Sequence, residues 1–164
     1  MNTFKKIRSS VLVLLTHKIA LPVLRRFRSA NKLNYTSVDL MFLPSGSLGN
    51  DLYHFLTKRN LPLLDHYVRH DLKHVLLNYD TTEEGEVCLQ SFMLGNGRVS
   101  FPVIATVLYG LFTMPEHWKS MRQAYTKGKC CHFFHDWSWN EVLVEQTTTL
   151  RNRIFERQTV QDAR

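Results

Sequence analysis

The sequence predicts an all-α fold, a single domain of about seven helices, and three observations carry that prediction. Apolar residues recur at helical spacing through most of the chain, while the strict alternation of a half-buried strand is almost absent. Capping residues, prolines and glycines punctuate the chain at intervals that suit helices joined by short connections. The 164 residues, 44% of them hydrophobic, suffice for one domain with its own core, burying about 70% of the unfolded surface.

Residues 4 to 28 read as one long helix, bent at Pro22, and residues 29 to 47 as a looser connection. That connection closes on Pro44-Ser45-Gly46-Ser47, a natural helix entry. Leu48, Leu52, Phe55 and Leu56 then form an i, i+4, i+7, i+8 stripe on a short helix. Pro62 suits the first turn of the next helix, which runs to about Asn78. Thr81 and Glu84 have capping-box spacing and open a helix that ends at Gly95-Asn96-Gly97. Ser100 and Pro102 start an apolar helix, and Pro115 starts another that stops near Gly128. Ser138 and Glu141 form a second capping box, opening a terminal helix to about Arg157. The domain organisation is therefore a basic N-terminal helix and connection over 1–42, a helical core over 43–158 and a tail over 159–164.

The net charge of +7 is concentrated at the start, where Lys5, Lys6, Arg8, Lys18, Arg25, Arg26, Arg28 and Lys32 precede the first acid, Asp39. Basic residues alternating with apolar runs have the composition of an interfacial amphipathic helix, and an anionic membrane surface is the expected partner. A helix packed on the core with a solvated basic face accounts for the same pattern. No nucleic-acid-binding module accompanies the charge, so nucleic acid is not an expected partner. The longest apolar stretch, Phe101 to Met114, is shorter than the roughly 20 residues needed to span a bilayer. Cys88, Cys130 and Cys131 are too few and too poorly spaced for a disulfide framework, which points to reduced thiols.

The candidate site is His70, Asp71, His74 and Glu86, in the pattern H-D-x-x-H-x(11)-E. On a helix the two imidazoles and Asp71 lie at roughly 0°, 40° and 100°, all on one side. A second helix brings Glu86 to them as a fourth ligand, a set that suits a divalent cation. Such ligands accept zinc, iron(II) or manganese. With no cysteine in the cluster, the site is not a structural thiolate zinc site. Glu83, one turn before Glu86, is the runner-up for the fourth ligand, and His66 precedes His70 by one turn on the same stripe. Gly46-Ser47-Leu48-Gly49 lacks the lysine of a phosphate-binding loop and reads as a plain N-cap.

The strings LPSGSLGNDLYHFL (residues 43–56) and EEGEV (residues 83–87), with the H-D-x-x-H helix between them, resemble the coenzyme Q (ubiquinone) biosynthesis protein 4 family. The chain looks like a short, bacterial-type member. Asn96-Gly97, Gly128-Lys129, Asp136-Trp137 and Leu150-Arg151 are looser matches, so the resemblance spans roughly residues 43 to 152. It implies a metal-binding protein, zinc being the expected cofactor, acting on a polyprenylated aromatic ring. The implied reaction is oxidative decarboxylation, carboxylate to hydroxyl at ring carbon 1, with Glu86 and Asp71 as the catalytic residues. The alternative it implies is a non-catalytic scaffold that binds prenyl lipid and organises other quinone-biosynthesis enzymes at the membrane.

A prenyl tail needs an apolar wall, and Val103, Val107 and Leu111 supply one on the apolar helix, with Tyr125 and Lys129 placed for an acidic headgroup. A buried core helix is the competing reading of the same residues. Expected partners are thus a polyprenylated quinone precursor, an anionic membrane surface, other quinone-biosynthesis enzymes and a second copy of the chain. The expected location is cytoplasmic and peripheral, on the inner face of the membrane, or the matrix side in a eukaryote. A metal-dependent hydrolase of the His-Asp type ranks third, since His135-Asp136 is the only other such pair.

Overall fold

The computed structural model describes residues 33–65 and 67–161, with side chains through residue 156. The expected helix over residues 4 to 28 and the side chain of His66 lie outside the described residues. Within them the chain is helical, with one isolated bridge and no strand. The helices are α1 (Ser37–Met41), α2 (Leu48–Lys58), α3 (Val68–Leu77), α4 (Glu83–Gly95), α5 (Phe101–Thr113), α6 (Trp118–Cys130), α7 (Trp139–Val142) and α8 (Thr147–Gln161). A single 3-10 turn, Pro115–His117, joins α5 to α6.

Helix α4 is the centre of the packing, set against α3, α5 and α6, with Val87, Leu89, Phe92 and Met93 fully buried. Its crossing with α6 is close enough for backbones to touch. A Cβ on Gly95 would collide with the Tyr125 carbonyl, and one on Gly128 with the Phe92 carbonyl. A glycine on each helix, each against the other helix's backbone, is therefore a condition of this crossing. Buried Asn96 then ties its side-chain amide to the carbonyls of Gly128, Cys131 and His132, at 3.2, 3.4 and 3.1 Å, closing the C-terminal end of α6. The Asn96-Gly97 and Gly128-Lys129 pairs noted in the sequence thus meet in one structural joint.

Four boundaries differ from expectation. Residues 29–47 include a helix after all: Thr36 and Asp39 form a reciprocal capping box on α1, and Leu40 is fully buried. Pro62 does not open α3. Residues 61–64 are non-helical, and the helix starts only at Val68, after a turn in which the Tyr67 and Val68 amides bond to the Leu64 carbonyl. The cap of α4 is Thr82, whose hydroxyl accepts from the Gly85 amide, because Asp80 holds Thr82 through its amide and hydroxyl. Ser138 starts only the short α7, without a side-chain cap, and α8 begins afresh at Thr147.

The last break has a clear cause. The carbonyls of Leu143 and Glu145 turn outward to accept the Gly49 and Leu48 amides, each at 2.9 Å, and Ser47 bridges Gln146. Two of the orphan amides at the start of α2 are satisfied this way, and Ser47 Oγ takes a third from Asn50. The G-S-L-G segment is therefore an N-cap whose amides are already engaged by protein. The stripe on α2 is as expected: Leu48, Leu52 and Leu56 are buried and Phe55 is partly so.

Candidate metal centre

Helix α3 forms because Val68, Leu72, Val75 and Leu76 give it an apolar face that is buried, and it ends at Asn78 in the left-handed conformation. On that helix His70 and His74 stand one turn apart, their ring centroids 4.6 Å from each other. Glu86, in the first turn of α4, faces both: its Oε2 lies 3.2 Å from His70 Nε2, and its Oε1 lies 3.0 Å from His74 Nε2. One ligand atom from each of His70, His74 and Glu86 can be chosen so that all fall within 4.8 Å of one another. The site lies between two helices, as the sequence predicts.

Every imidazole nitrogen here faces an acceptor. His74 Nδ1 lies 3.1 Å from the Tyr79 carbonyl, which can only accept, so this nitrogen carries a proton. Its Nε2 then points a lone pair at a carboxylate oxygen unless a cation or a second proton lies between them. His70 repeats the pattern, with Asp71 Oδ1 at 3.4 Å from Nδ1 and Glu86 on Nε2. Two protons satisfy the pair of rings, and so does one divalent cation. The donor set fits such a cation, with imidazole orientation fixed from behind by a carbonyl and a carboxylate.

The charges agree with this geometry. Burial opposes charging of His70, but the Glu86 carboxylate, with hydrogen bonds donated by the ring to Asp71 and Glu86, prevails and raises its pKa to about 9. Burial likewise works against ionised Glu86, yet His70 and then His74 hold its pKa well below the carboxylate range. The nearby Cys88 thiol is pushed up to about 11 by burial, then by Glu84 and Asp80, which keeps it a neutral thiol and a poor ligand.

The surroundings are apolar on the inner side and open on the outer. Phe55 of α2 stacks on His74 at 6.0 Å, with the Arg59 guanidinium on its ring at 3.9 Å. Tyr67 meets His70 edge-on. The His74 side chain is wholly buried, whereas His70 is 31% exposed. Access to the centre is therefore past His70.

The structure brings together three of the four expected ligands. Asp71 stands on the outer nitrogen of His70, outside the converging group. Glu83, the runner-up, is not in that group, and His135 pairs only with its neighbour Asp136 at 3.3 Å. Of the expected tail-binding residues, Val103 is buried, Val107 packs partly on the core and Leu111 is exposed. Tyr125 and Lys129 are exposed on α6, the Lys129 ammonium 6.0 Å from the Tyr125 ring. Helix α5 is not the fully buried core helix of the competing reading, since only Val103 and Gly110 are buried along it.

Two contributors carry almost no local signal in the sequence of the role they play. The Tyr79 carbonyl that orients His74 is backbone, and its only signal is the helix-ending Asn78 before it. Arg151 of α8 donates to the Leu76 and Val75 carbonyls at 3.0 and 2.8 Å, capping the C-terminal end of α3 across the fold. Gly85 is a third fixed point. A Cβ there would collide with the Asp80 carbonyl and side chain, so only glycine lets the turn beside Glu86 close on the preceding loop.

No family model matches the chain, and no curated protein sequence matches it. Among solved structures, a protein from Nostoc punctiforme PCC 73102, provisionally assigned to ubiquinone biosynthesis, shares the fold. Its TM-score is 0.60 at 21% identity, over 93% of this chain and 81% of that one. At this identity the likeness establishes the fold.

Proposed function

We propose that the chain is a metal-dependent protein of ubiquinone biosynthesis that acts on a polyprenylated aromatic ring. The observation that carries this is the His70–His74–Glu86 group, whose ligand atoms converge between α3 and α4 in a set that fits a divalent cation. Three protein ligands leave coordination positions open, which suits a site that takes substrate rather than one that only clamps helices. Two further points support the reading: the Nostoc protein with the same fold, provisionally assigned to ubiquinone biosynthesis, and the resemblance around H-D-x-x-H-x(11)-E.

When bound, the cation supplies a Lewis acid that anchors an anionic oxygen of the ring and favours negative charge developing there. Zinc, iron(II) and manganese all suit the donors. The chain does the positioning: the Tyr79 carbonyl fixes the His74 tautomer, Asp71 holds His70, and the half-buried Phe55 ring covers the inner side of His74. The proposed reaction is oxidative decarboxylation at ring carbon 1: the carboxylate leaves as CO2, a hydroxyl from water takes its place, and dioxygen accepts the two electrons as peroxide, with Glu86 and Asp71 as the catalytic carboxylates. The work would be done at the cytoplasmic or matrix face of a membrane, where a prenylated substrate resides.

Complementation of a quinone-deficient host tests it. Glu86→Gln keeps the shape and removes the charge, so the folded variant should fail to restore quinone and should accumulate the carboxylated ring. Full complementation by a folded, metal-depleted Glu86→Gln variant would reject the catalytic reading in favour of the scaffold.

A further inference from the structure

Helix α5 turns an uncharged face to solvent. Phe101, Ala105, Leu108, Leu111 and Phe112, all exposed, fall within an arc of about 120° on the helix. Phe101 is 77% exposed and Phe112 is 82% exposed. Soluble chains rarely leave so contiguous an apolar surface in water without using it. We infer that this face is a membrane-docking surface, with α5 lying flat in the interface of an anionic bilayer.

Three observations choose a lipid surface as the occupant. Helix α5 has no Asp, Glu, Lys or Arg among its 13 residues, and at about 20 Å it is too short to cross a bilayer but long enough to lie along one. The flanks are cationic: from Gly95 to His132 the chain has Arg98, Lys119, Arg122, Lys127 and Lys129 against a single acid, Glu116. Of these, Lys127 is turned onto the Phe155 ring, while Lys119, Arg122 and Lys129 are exposed on α6. Finally, Trp118 stands half-exposed at the edge of the face, its indole N–H held by the Leu111 carbonyl at 2.9 Å. An amphipathic ring at the rim, with exposed cations on the helix that follows, suits the headgroup layer.

The surface is one helix away from the metal centre. The inner side of α5 packs through Gly110 onto Val87 and Met121, and Val87 is the neighbour of Glu86 on α4. Docking through α5 thus holds α4, which carries Glu86, one helix layer from the bilayer. The inference deepens the proposed function, which needs a bilayer-resident substrate, but its test does not depend on the reaction.

The test is co-sedimentation of the full chain with vesicles of phosphatidylcholine, alone or mixed with phosphatidylglycerol. Phe101→Ser/Phe112→Ser should weaken binding to both vesicle types at least about tenfold, since two apolar side chains no longer enter the interface. Lys119→Gln/Arg122→Gln should weaken only the salt-sensitive preference for the anionic vesicles. Circular dichroism and metal content should be unchanged in both variants, which separates failure here from failure of the metal reading. Wild-type affinity in the Phe101→Ser/Phe112→Ser variant would overturn the proposal. So would a wild-type chain that ignores vesicles and forms a dimer, seen by light scattering, that this variant abolishes.

Discussion

His74 Nε2 sits 3.0 Å from Glu86 Oε1 while the other nitrogen of the same ring faces the Tyr79 carbonyl. The pairing joins α3 to α4 through a buried ring whose orientation is set by backbone. Because the ring cannot rotate away without losing the Tyr79 contact, the Nε2 lone pair is aimed at one place. Glu86 must be equally well placed, and the packing of its turn determines that.

Gly85→Ala should therefore disturb the centre without touching a ligand. The added methyl meets the Asp80 carbonyl and carboxylate, and the first turn of α4 must shift to make room. A loss of about 1–3 kcal/mol in stability is expected, with metal affinity falling about 10- to 100-fold as Glu86 moves. Chemical denaturation and metal titration of the variant measure both. Unchanged affinity would mean that Glu86 is not positioned by this turn.

A second prediction concerns pH in the metal-free protein. His70 is raised from 6.5 to about 9, so its pairing contributes fully below about pH 6.5 and is lost as pH rises through about 9. Glu86 is lowered from 4.5, so its contribution is present above that value and is lost as pH falls toward its folded-state pKa. These two groups therefore favour the metal-free fold most between roughly pH 4.5 and 6.5. Metal competes with the same protons, so the rise in Tm on adding a divalent cation should grow from about pH 6 to about pH 9. Melting curves with and without chelator check this, and an increment that shrinks over that range would contradict it.

Arg151→Met tests the support of α3 from behind. The guanidinium caps the Val75 and Leu76 carbonyls, and its loss should cost about 1–3 kcal/mol. Amide exchange should accelerate in the last turn of α3 before it does in α6. Uniform acceleration throughout the domain would contradict a local role.

The sequence made much of this legible, for physical reasons. Periodicity exposed the α2 stripe, and the i, i+4 imidazoles announced a one-sided site on α3. The H-D-x-x-H-x(11)-E spacing of the family it resembles singled out Glu86, the carboxylate that faces both rings. What stayed hidden depends on contacts between distant segments. The break before α8 exists because the Leu143 and Glu145 carbonyls are drawn to the start of α2, and no local signal marks it. Pro62 is compatible with a helix start, yet the turn at Leu64–Val68 places that start later. All-round apolarity on α5 fits a tail-binding wall or a buried core helix, and only packing shows that no described residue covers its outer face.

Metal stoichiometry of the purified chain tests the central claim most directly. After saturation with zinc, iron(II) or manganese and removal of loose ions, elemental analysis should find about one divalent ion per wild-type chain. His70→Ala/His74→Ala should retain none while keeping its helical circular dichroism. Stoichiometric metal in that folded double variant, or no metal in the wild type with any of the three ions, would contradict the account.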